Sequence, residues 1–452
     1  MIRRLDTRTA APEEIRLALT RPALDEVEVA PSVQAALDRI FGVGTTPEQA
    51  VERILSDVQA HGDAALVDYV ERIDGVRLAP EELFVSEEEI AQARREADPA
   101  IVDAILKARD RIRQFHERQM QSSWFMTEPN GTVLGQLITP IRRAGCYIPG
   151  GRFPLVSTAL MCVVPAVVAG VEEIIAATPC NSEGKLDPHM IVALDAAGAH
   201  RILRTGGAQT IAALAYGTTW VPAVDKIVGP GNLFVQLAKK MVFGRVGIDS
   251  LAGPSEILII ADETADPEWV AADLLSQAEH DTEAAAMLLT TDAALADAVE
   301  EALARQLAAL PRQEEAAESL RRWGLILTCT DLDEALELAD VVAPEHLELL
   351  VKEPLACLGK LKNAGAIFLG SHSTEPLADY VAGPNHVLPT NRSARFSSPL
   401  GVDQFLRRSG FMQVGPAGLD EIGGIAITLA RLEGLEAHAR AVEQRLRGRK
   451  DA

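Results

Sequence analysis

The sequence predicts an α/β protein with two parallel sheets and helical segments at both ends. Short apolar runs alternate with helical patterns after about residue 147, and this alternation occurs in two successive sets. Strands that alternate with helices form parallel sheets that are covered by helices. The glycine-rich stretch from Gly244 to Pro254 lies between the two sets, and we expect the chain to cross there from one unit to the other.

The predicted elements follow in order along the chain. Residues 1 to about 115 are predicted to be mainly helical, because apolar residues recur at helical spacing in runs such as 46–73 and 86–121. After a glycine turn at 147–151, the first set has predicted strands at 174–178, 201–203 and 226–228, and helices at about 157–170, 188–198, 209–216 and 232–243. The second set has predicted strands at 256–260, 286–290, 325–328 and 366–369. The tail from 419 to 447 is predicted to be helical but too polar to form a core alone, so we expect it to pack on another surface.

Composition and charge exclude several classes of protein. The 452 residues, of which 48% are hydrophobic, suffice for two ordinary domains. No apolar run of about eighteen residues occurs, so no membrane span is predicted. A net charge of −22 argues against binding to nucleic acid or to anionic membranes. The first residues, Met-Ile-Arg-Arg-Leu-Asp-Thr-Arg, lack an apolar signal core, which predicts a cytoplasmic protein.

The five cysteines are odd in number, scattered along the chain and never paired as Cys-x-x-Cys. This pattern predicts neither a disulfide framework nor a thiolate zinc site. Cys146 lies beside the glycine turn and could be a nucleophile, but a small buried hydrophobic residue is the simpler interpretation.

The stretch Gln277-Ala-Glu-His280 places two side chains that can bind a metal three residues apart. Asp266 is a candidate N-cap and Pro267 suits the first helical position, so a helix should begin here. Residues three apart are neighbours on a helix surface, so Gln277 and His280 should point the same way. The alternative interpretation is a polar patch at the end of a helix.

Two glycine turns, Gly229-Pro-Gly-Asn232 and Gly206-Gly-Ala-Gln209, each follow a predicted strand and precede a predicted helix. A helix N-terminus with exposed N–H groups can bind phosphate. Neither turn matches Gly-x-Gly-x-x-Gly, so the usual dinucleotide fingerprint is absent. From spacing alone, they are either tight strand–helix turns or contacts to a cofactor.

Glu345 and His346 are adjacent and lie between a predicted helix and a strand. An imidazole can take up and release protons near neutral pH, and a neighbouring carboxylate can activate water. Asp379 and His386 lie in a later loop, where they could be an oxygen ligand and a second base. The alternative is a solvated turn in which these side chains have no chemical role.

Together these segments resemble the histidinol dehydrogenase family. The resemblance extends over about residues 20 to 445, with its motifs in family order. The motifs are Gly229-Pro-Gly-Asn232, Ala252-Gly-Pro-Ser-Glu256, Leu274-Leu-Ser-Gln-Ala-Glu-His-Asp281, Pro344-Glu-His-Leu347, Asp379-Tyr380, Asn385-His-Val-Leu-Pro-Thr390 and Glu433-Gly-Leu-Glu-Ala-His438.

The resemblance implies two incomplete Rossmann-like parallel-sheet domains, one inserted in the other, with helical N- and C-terminal tails that exchange across a homodimer. The implied parts are an N-terminal helical tail (1–40), a first α/β domain with the metal and acid–base residues (41–146 and 254–395), an inserted second α/β domain with the NAD contacts (147–253) and a C-terminal helical dimerisation tail (396–452).

The resemblance also implies zinc-dependent oxidation of L-histidinol to L-histidine through the aldehyde, with NAD as the electron acceptor. The implied zinc ligands are Gln277, His280, Asp379 and His438. The implied acid–base pair is Glu345 and His346. The implied substrate contacts are Ser255, His386 and Glu433, together with His346 and the four zinc ligands, and the implied NAD contacts are Tyr147, Gln209 and Asn232.

The residue types fit this chemistry. A zinc ion with nitrogen and oxygen ligands and no thiolate keeps open positions, as a catalytic site requires. His346 would remove the alcohol proton in the first oxidation, and Glu345 would activate water for the second. Two departures from the family pattern are the Arg152-Phe153-Pro154 segment and Ala378 in place of a glycine. The alternatives are therefore a sister dehydrogenase of another small polar alcohol, or a non-catalytic zinc-binding relative.

Overall fold

The computed structural model describes residues 2–21, 29–150 and 154–448. The first compact unit comprises the described residues up to Gln119 together with Ile141–Phe405, and the second comprises Met120–Pro140 and the described residues from Leu406 onward. Gly151 of the predicted glycine turn, and Arg152 and Phe153, lie outside the described residues.

The strands and helices alternate over most of the first unit. The strands are β1 (Arg3–Asp6), β2 (Trp124–Thr127), β3 (Val133–Pro140), β4 (Arg143–Tyr147), β5 (Glu173–Ala177), β6 (Arg201–Leu203), β7 (Lys226–Val228), β8 (Gly247–Ile248), β9 (Glu256–Ala261), β10 (Ala285–Thr290), β11 (Leu325–Thr328), β12 (His346–Leu350), β13 (Ala366–Leu369) and β14 (Leu406–Gln413). The helices are α1 (Pro12–Ala18), α2 (Pro31–Phe41), α3 (Pro47–His61), α4 (Asp63–Tyr69), α5 (Glu87–Glu96), α6 (Pro99–Glu117), α7 (Val156–Ala169), α8 (Pro188–Ala197), α9 (Gly207–Tyr216), α10 (Leu233–Val242), α11 (Pro267–Ala278), α12 (Ala293–Leu307), α13 (Gln313–Trp323), α14 (Leu332–Val342), α15 (Pro354–Cys357), α16 (Glu375–Leu377), α17 (Pro416–Leu432) and α18 (Glu436–Arg447). Val70–Asp74 and Ala378–Ala382 are single π-helical turns.

The first sheet has six parallel strands in the order β1-β11-β10-β9-β12-β13. Its central strands β9, β10, β11 and β12 are buried along their whole length, because helices cover both faces of a parallel sheet. Their near-continuous apolar sequences are the pattern from which this sheet was predicted. Two acidic residues, Glu256 and Glu348, interrupt these apolar sequences although they are buried, at 1% and 0% exposure.

The second sheet has five parallel strands in the order β6-β5-β4-β7-β8 and is formed from residues 143–248. The chain leaves the central strand β4 for β5 and β6 on one side and returns to β7 and β8 on the other. The strand order therefore reverses between β4 and β7. The two predicted parallel-sheet units are thus present, and the prediction of an α/β fold is confirmed.

The terminal segments are mainly helical, and each also contributes a strand that the sequence analysis did not predict. Strand β1 pairs with β11 at the edge of the first sheet. Strand β14 pairs with β3 in an antiparallel sheet of order β14-β3-β2, which belongs to the second unit together with α17 and α18. Among the described residues, none of the helices is both long and apolar enough to cross a membrane.

Candidate functional site

Glu345 and His346, the expected acid–base pair, lie at the amino end of β12. Helix α14 ends at Val342, the left-handed backbone of Ala343 (φ 49°) reverses the chain, and Pro344 prevents the helix from continuing. Glu345 precedes the strand and His346 is its first residue, at 6% and 4% exposure. Because β12 lies beside β9, this pair faces the start of β9.

The His346 ring has one nitrogen bonded and the other without a partner. Nδ1 lies 3.0 Å from the carbonyl oxygen of Glu256, which can only accept, so we assign the proton to Nδ1. Nε2 is buried without a hydrogen-bond partner and lies 4.0 Å from Oδ1 of Asp379. Burial lowers the pKa of His346 to about 3, so the ring is neutral. The free lone pair of Nε2 is thus available to a substrate proton or to a cation.

Buried carboxyl groups surround this imidazole. Oε2 of Glu345 accepts a hydrogen bond of 2.9 Å from the backbone N–H of Glu256. Burial, together with the charges of Glu256, Asp379 and Glu375, raises the pKa of Glu345 well above its usual value. Burial likewise raises the pKa of Glu256 to about 6. Several carboxyl groups crowded in a low-dielectric space favour the binding of a cation, which would relieve their repulsion.

Gln277 and His280 lie at the end of α11. The helix begins as predicted, since Asp266 accepts from the N–H of Glu268 and Pro267 is the first residue. It ends at Ala278, so His280 lies just beyond it, where its N–H donates to the carbonyl of Gln277 over 3.2 Å. Nδ1 of His280 lies 2.8 Å from the carbonyl oxygen of Ser276, which leaves Nε2 available to a ligand.

The amide of Gln277 has no hydrogen-bond partner at either atom, although its side chain is fully buried. A buried amide without partners costs several kcal/mol, roughly 2–7 depending on the reference state. Such groups are rare, and a bound ion or water is a usual partner for them. This amide therefore fits a ligand oxygen of a metal ion.

Asp379 and His386 come from one loop. Asp379 lies in the π-helical turn Ala378–Ala382, a type of turn that is frequent at functional sites. Nδ1 of His386 lies 3.0 Å from the carbonyl oxygen of Asp379 and 3.9 Å from its Oδ1. Burial lowers the pKa of His386 to about 4 and raises that of Asp379 to about 6. Asp379 lies near both rings, since its Oδ1 is 4.0 Å from Nε2 of His346 and 3.9 Å from Nδ1 of His386.

Potential ligand atoms of His346, Glu375 and Asp379 lie within 4.8 Å of one another. These three residues offer nitrogen and oxygen donors of the kind that hold a divalent ion, whereas the predicted ligands Gln277 and His280 are not among this closely spaced group. Burial and the neighbouring Asp379 raise the pKa of Glu375 to about 8. We refer to these residues with Glu345 as the acid–base cluster: Gln277, His280, Glu345, His346, Glu375 and Asp379.

Three further residues are implied by the family resemblance: Ser255, Glu433 and His438. Ser255 precedes β9, where it is half-buried and its carbonyl oxygen accepts from the N–H of Ala285 over 3.0 Å. Glu433 and His438 belong to the second unit. Glu433 follows α17 and His438 lies in the first turn of α18, and both side chains are exposed.

Tyr147, Gln209 and Asn232 line one cavity of about 410 Å³. Tyr147 ends β4, and its hydroxyl accepts from the N–H of Gly207 over 3.1 Å. Asn232 caps α10 by accepting from the N–H of Val235 over 3.2 Å. We refer to this cavity as the switch-point cavity, because it lies at the carboxyl ends of the strands where the strand order reverses. Open α/β sheets bind their ligands at such points.

Gly229 shows how closely the two strands approach at the switch point. Its φ is +114°, and an added Cβ would lie 2.1 Å from the carbonyl oxygen of Tyr147. Only glycine fits, so the turn that leads to Asn232 can follow β7 immediately. The glycine turns that the sequence analysis left open as turns or cofactor contacts thus border a cavity.

The sequence analysis missed several acidic residues that belong to the acid–base cluster or contact it. Glu256 and Glu348 lie within otherwise apolar strands, and such a charge is a usable signal, because buried parallel strands have little room for it. Glu375 and Asp273 could not be predicted as site residues, because neither belongs to a motif with a recognisable spacing. Glu348 accepts from the N–H of Glu375 over 2.7 Å, and Asp273 accepts from the hydroxyl of Thr374 over 2.7 Å.

Comparison with known proteins shows the same similarity over the whole chain. The family model described as histidinol dehydrogenase matches residues 44–446. Histidinol dehydrogenase from Moorella thermoacetica is 53% identical over 395 residues, which cover 87% of this chain and 93% of that protein. The enzyme from Halalkalibacterium halodurans is 50% identical over 412 residues, covering 91% and 97%. The crystal structure of histidinol dehydrogenase from Elizabethkingia anophelis superposes with a TM-score of 0.91 at 33% identity, covering 99% of each chain.

Proposed function

The chain belongs to the histidinol dehydrogenase family, an oxidoreductase family of histidine biosynthesis, and we propose that it uses zinc and NAD to oxidise L-histidinol to L-histidine through the aldehyde. The proposal rests on one observation above all. Nε2 of His346 is buried, neutral and without a partner, and it lies 4.0 Å from the carboxylate of Asp379. A base and an acidic ligand thus meet in a closed space. A cytoplasmic location fits this biosynthetic role.

Gln277, His280 and Asp379 are the proposed zinc ligands from the first unit, with His438 as the fourth. The unpartnered amide of Gln277 supports this assignment, because a metal–oxygen bond would satisfy it. When bound, zinc would act as a Lewis acid that orients the alcohol and the imidazole of the substrate. The proximity of Glu375 to Asp379 makes Glu375 either a further ligand or a hydrogen-bond partner of that ligand.

His346 is the proposed base for the alcohol proton. Its Nδ1–H is held by the carbonyl oxygen of Glu256, so the ring cannot turn without losing this bond, and Nε2 faces the cluster. In the first oxidation Nε2 would take up the hydroxyl proton of the alcohol, and NAD, when bound, would supply the hydride acceptor. Burial lowers the pKa of His346, so the ring is unprotonated before this transfer.

Glu345 is the proposed activator of water in the second oxidation. The aldehyde must add water before a second hydride can leave, and a carboxylate can remove a proton from that water. The backbone N–H of Glu256 fixes the orientation of the Glu345 carboxyl group. Burial and the carboxyl neighbours of Glu345 oppose its ionised form, which a bound divalent cation would favour. Burial of both residues also protects the reactive aldehyde from bulk water.

The proposed NAD contacts are Tyr147, Gln209 and Asn232, because they line the switch-point cavity together. The proposed substrate contacts are Ser255, His386 and Glu433, along with the metal ligands and His346. The domain boundaries implied by the family resemblance remain part of the proposal.

We also propose that the protein is a homodimer in which Glu433 and His438 complete the site of the partner subunit. The second unit exposes large apolar side chains, which supports burial against another surface. Phe125, Met412 and Leu432 are 70%, 75% and 82% exposed. A small unit with so many open apolar residues fits a dimer interface better than a free surface.

The test is NADH formation by the purified enzyme with L-histidinol, L-histidinal and a panel of other small polar alcohols. Each substrate is assayed before chelation, after chelation and after zinc is restored. We expect histidinol to give the highest kcat/KM, chelation to abolish alcohol oxidation and zinc to restore it. Full activity in metal-free protein, or a better substrate elsewhere in the panel, would contradict the proposal.

A further inference from the structure

Asp74 brings a carboxylate to the wall of the switch-point cavity, although it lies outside the sheet. It ends the π-helical turn Val70–Asp74, and Gly75 follows with a φ of +73°. Nε2 of Gln209 donates to Oδ2 of Asp74 over 3.4 Å. Burial and, to a smaller extent, the nearby Asp74 raise the pKa of Tyr147 to about 12. The carboxylate therefore lies beside two of the three proposed NAD contacts.

The described residues that line the cavity are mostly apolar, with a few polar side chains that include Asp74, Gln209 and Asn232. The apolar side chains that line it are Leu37, Ile40, Phe41, Ile54, Ile73 and Phe234. The described lining residues include one carboxylate, that of Asp74, and neither lysine nor arginine. Flat apolar walls suit an aromatic base, and a carboxylate suits neighbouring sugar hydroxyl groups. A carboxylate with no cation among the described lining residues disfavours an additional phosphate beside it.

If the enzyme uses NAD as proposed, the switch-point cavity would hold the half of the dinucleotide that does not react. None of its described lining residues belongs to the acid–base cluster, where the hydride must leave the substrate. The base in this cavity would then be adenine, and the neighbouring sugar would be the adenosine ribose.

In an ordinary Rossmann fold, an acidic residue about 20 residues after the glycine turn accepts a hydrogen bond from this ribose. Here the strand beside β4 is β5, and it continues as Thr178-Pro-Cys-Asn181 without an acidic residue. The buried amide oxygen of Gln209 has no partner, so it too is available to a sugar hydroxyl.

We propose that Asp74 selects NAD over NADP. Its carboxylate accepts a hydrogen bond from the 2′-hydroxyl of the adenosine ribose and repels a 2′-phosphate at the same position. Gln209 holds the carboxylate in place through its Nε2. This inference rests on the proposed use of NAD and adds the residue that discriminates between the two dinucleotides.

The experiment measures dissociation constants of the full-length, zinc-loaded enzyme for NADH and NADPH by fluorescence, and for 5′-AMP and 2′,5′-ADP by calorimetry. The variants are Asp74→Asn, which keeps the shape and removes the charge, and Asp68→Asn as a matched control. Asp68 lies on α4, pairs with Arg72 over 3.3 Å and does not line the cavity. Melting temperatures establish that each variant is folded.

We expect the wild type and Asp68→Asn to bind NADH and 5′-AMP in preference to the phosphorylated ligands. Asp74→Asn should lose about tenfold or more of this preference, mainly through tighter binding of NADPH, because a like-charge contact is removed. An unchanged preference in folded Asp74→Asn overturns the inference. So does a wild type that binds 2′,5′-ADP as tightly as 5′-AMP, a result that needs no variant. A wild type that binds NADH and NADPH equally well overturns this inference alone, whereas one that binds neither overturns the proposed use of NAD as well.

Discussion

Lys239 and Asp249 form a buried ion pair in the part of the first unit that contains the second sheet. Nζ lies 2.5 Å from Oδ1, and the side-chain exposures are 1% and 4%. Nζ also donates to the carbonyl oxygen of Gly229 over 2.8 Å, and Oδ2 of Asp249 accepts from the N–H of Gly229 over 2.7 Å. The pair thus binds both polar backbone groups of the glycine that begins the turn to Asn232. The ion pair therefore orders the turn that leads to Asn232, which lines the switch-point cavity.

Replacing Lys239 by Met should cost about 3–5 kcal/mol of unfolding free energy, because the Asp249 carboxylate would remain buried without its cation. Urea unfolding followed by circular dichroism measures this loss. Lys240→Met is the matched control, since Lys240 is the next residue on α10 and is exposed. Its cost should stay within about 0.5 kcal/mol. Equal losses of unfolding free energy in the two variants would show that the buried Lys239 stabilises the protein no more than the exposed Lys240.

Glu345→Gln should separate the two oxidations. Only the aldehyde step needs activated water, so this variant should slow histidinal oxidation about 10²–10⁴-fold and histidinol oxidation to the aldehyde much less. His346→Asn should slow both steps, because it removes the base at Nε2. Single-turnover assays with each substrate measure the two steps separately. The role assigned to Glu345 is wrong if Glu345→Gln slows both half-reactions equally.

Gln277→Ala should weaken zinc binding at least about tenfold, because it removes an oxygen ligand from the cluster. Competition with a zinc chelator, read by metal content, measures the affinity directly. Gln313→Ala, at the exposed start of α13, is a control for the loss of an amide. Zinc affinity equal to that of the wild type in Gln277→Ala would leave its buried amide unexplained by a metal.

Glu348 should make stability fall as the pH rises. Burial and the neighbouring Asp273 raise its pKa to about 9 in the folded protein, from an ordinary value of about 4.5. Between these values the unfolded chain releases a proton that the folded chain retains, so the unfolding free energy decreases by at most roughly 1.4 kcal/mol per pH unit. The stabilising contribution is complete below the lower value and is lost as the pH rises through the upper one.

Glu348→Gln has no proton to retain, so its unfolding free energy should change less than that of the wild type between pH 5 and about 9. Denaturant unfolding at a series of pH values measures both slopes. Glu353→Gln, an exposed change just after the same strand, should keep the slope of the wild type. Identical slopes in wild type and Glu348→Gln would mean that Glu348 is ionised in the folded protein.

His438→Ala and Asp379→Ala should each be nearly inactive as pure dimers, and mixing them should restore activity. In a hybrid dimer, the intact Asp379 of one chain meets the intact His438 of the other, which gives one whole site. Random exchange makes half the dimers hybrid, so recovery should approach about a quarter of wild-type activity. Coexpression provides the exchange, and mass spectrometry confirms the hybrids. Confirmed hybrids without activity would place His438 in the site of its own chain.

The sequence predicted elements well where local pattern and burial agree. Strands β9 to β11 and β13 lie within a residue of their predicted positions, because a parallel sheet requires short apolar runs between helices. Strand β1 has the sequence Arg-Arg-Leu-Asp, which carries no such run, and it exists because β11 offers a free edge. Strand β14 pairs with β3 across a long stretch of intervening chain, and no local pattern specifies that pairing.

The candidate site shows the same division. Gln277 and His280 could be found because three-residue spacing has a meaning on a helix, although the helix ends before His280. Asp74 and Glu375 could not be found, since each reaches its cavity or cluster through tertiary packing of a short turn. The state of His346 also depends on tertiary structure, because the carbonyl oxygen that holds Nδ1 comes from another strand.

The acid–base cluster lies at the amino ends of β9 and β12, so no catalytic role is proposed at the carboxyl ends of these two strands. The connections at the carboxyl ends include 262–266, after β9, and 351–353, after β12. Glu263 and Lys352 in these connections are exposed. For protein engineering, these loops are suitable attachment points: a fluorescent label, an affinity tag or a surface linker placed there would leave substrate access unobstructed.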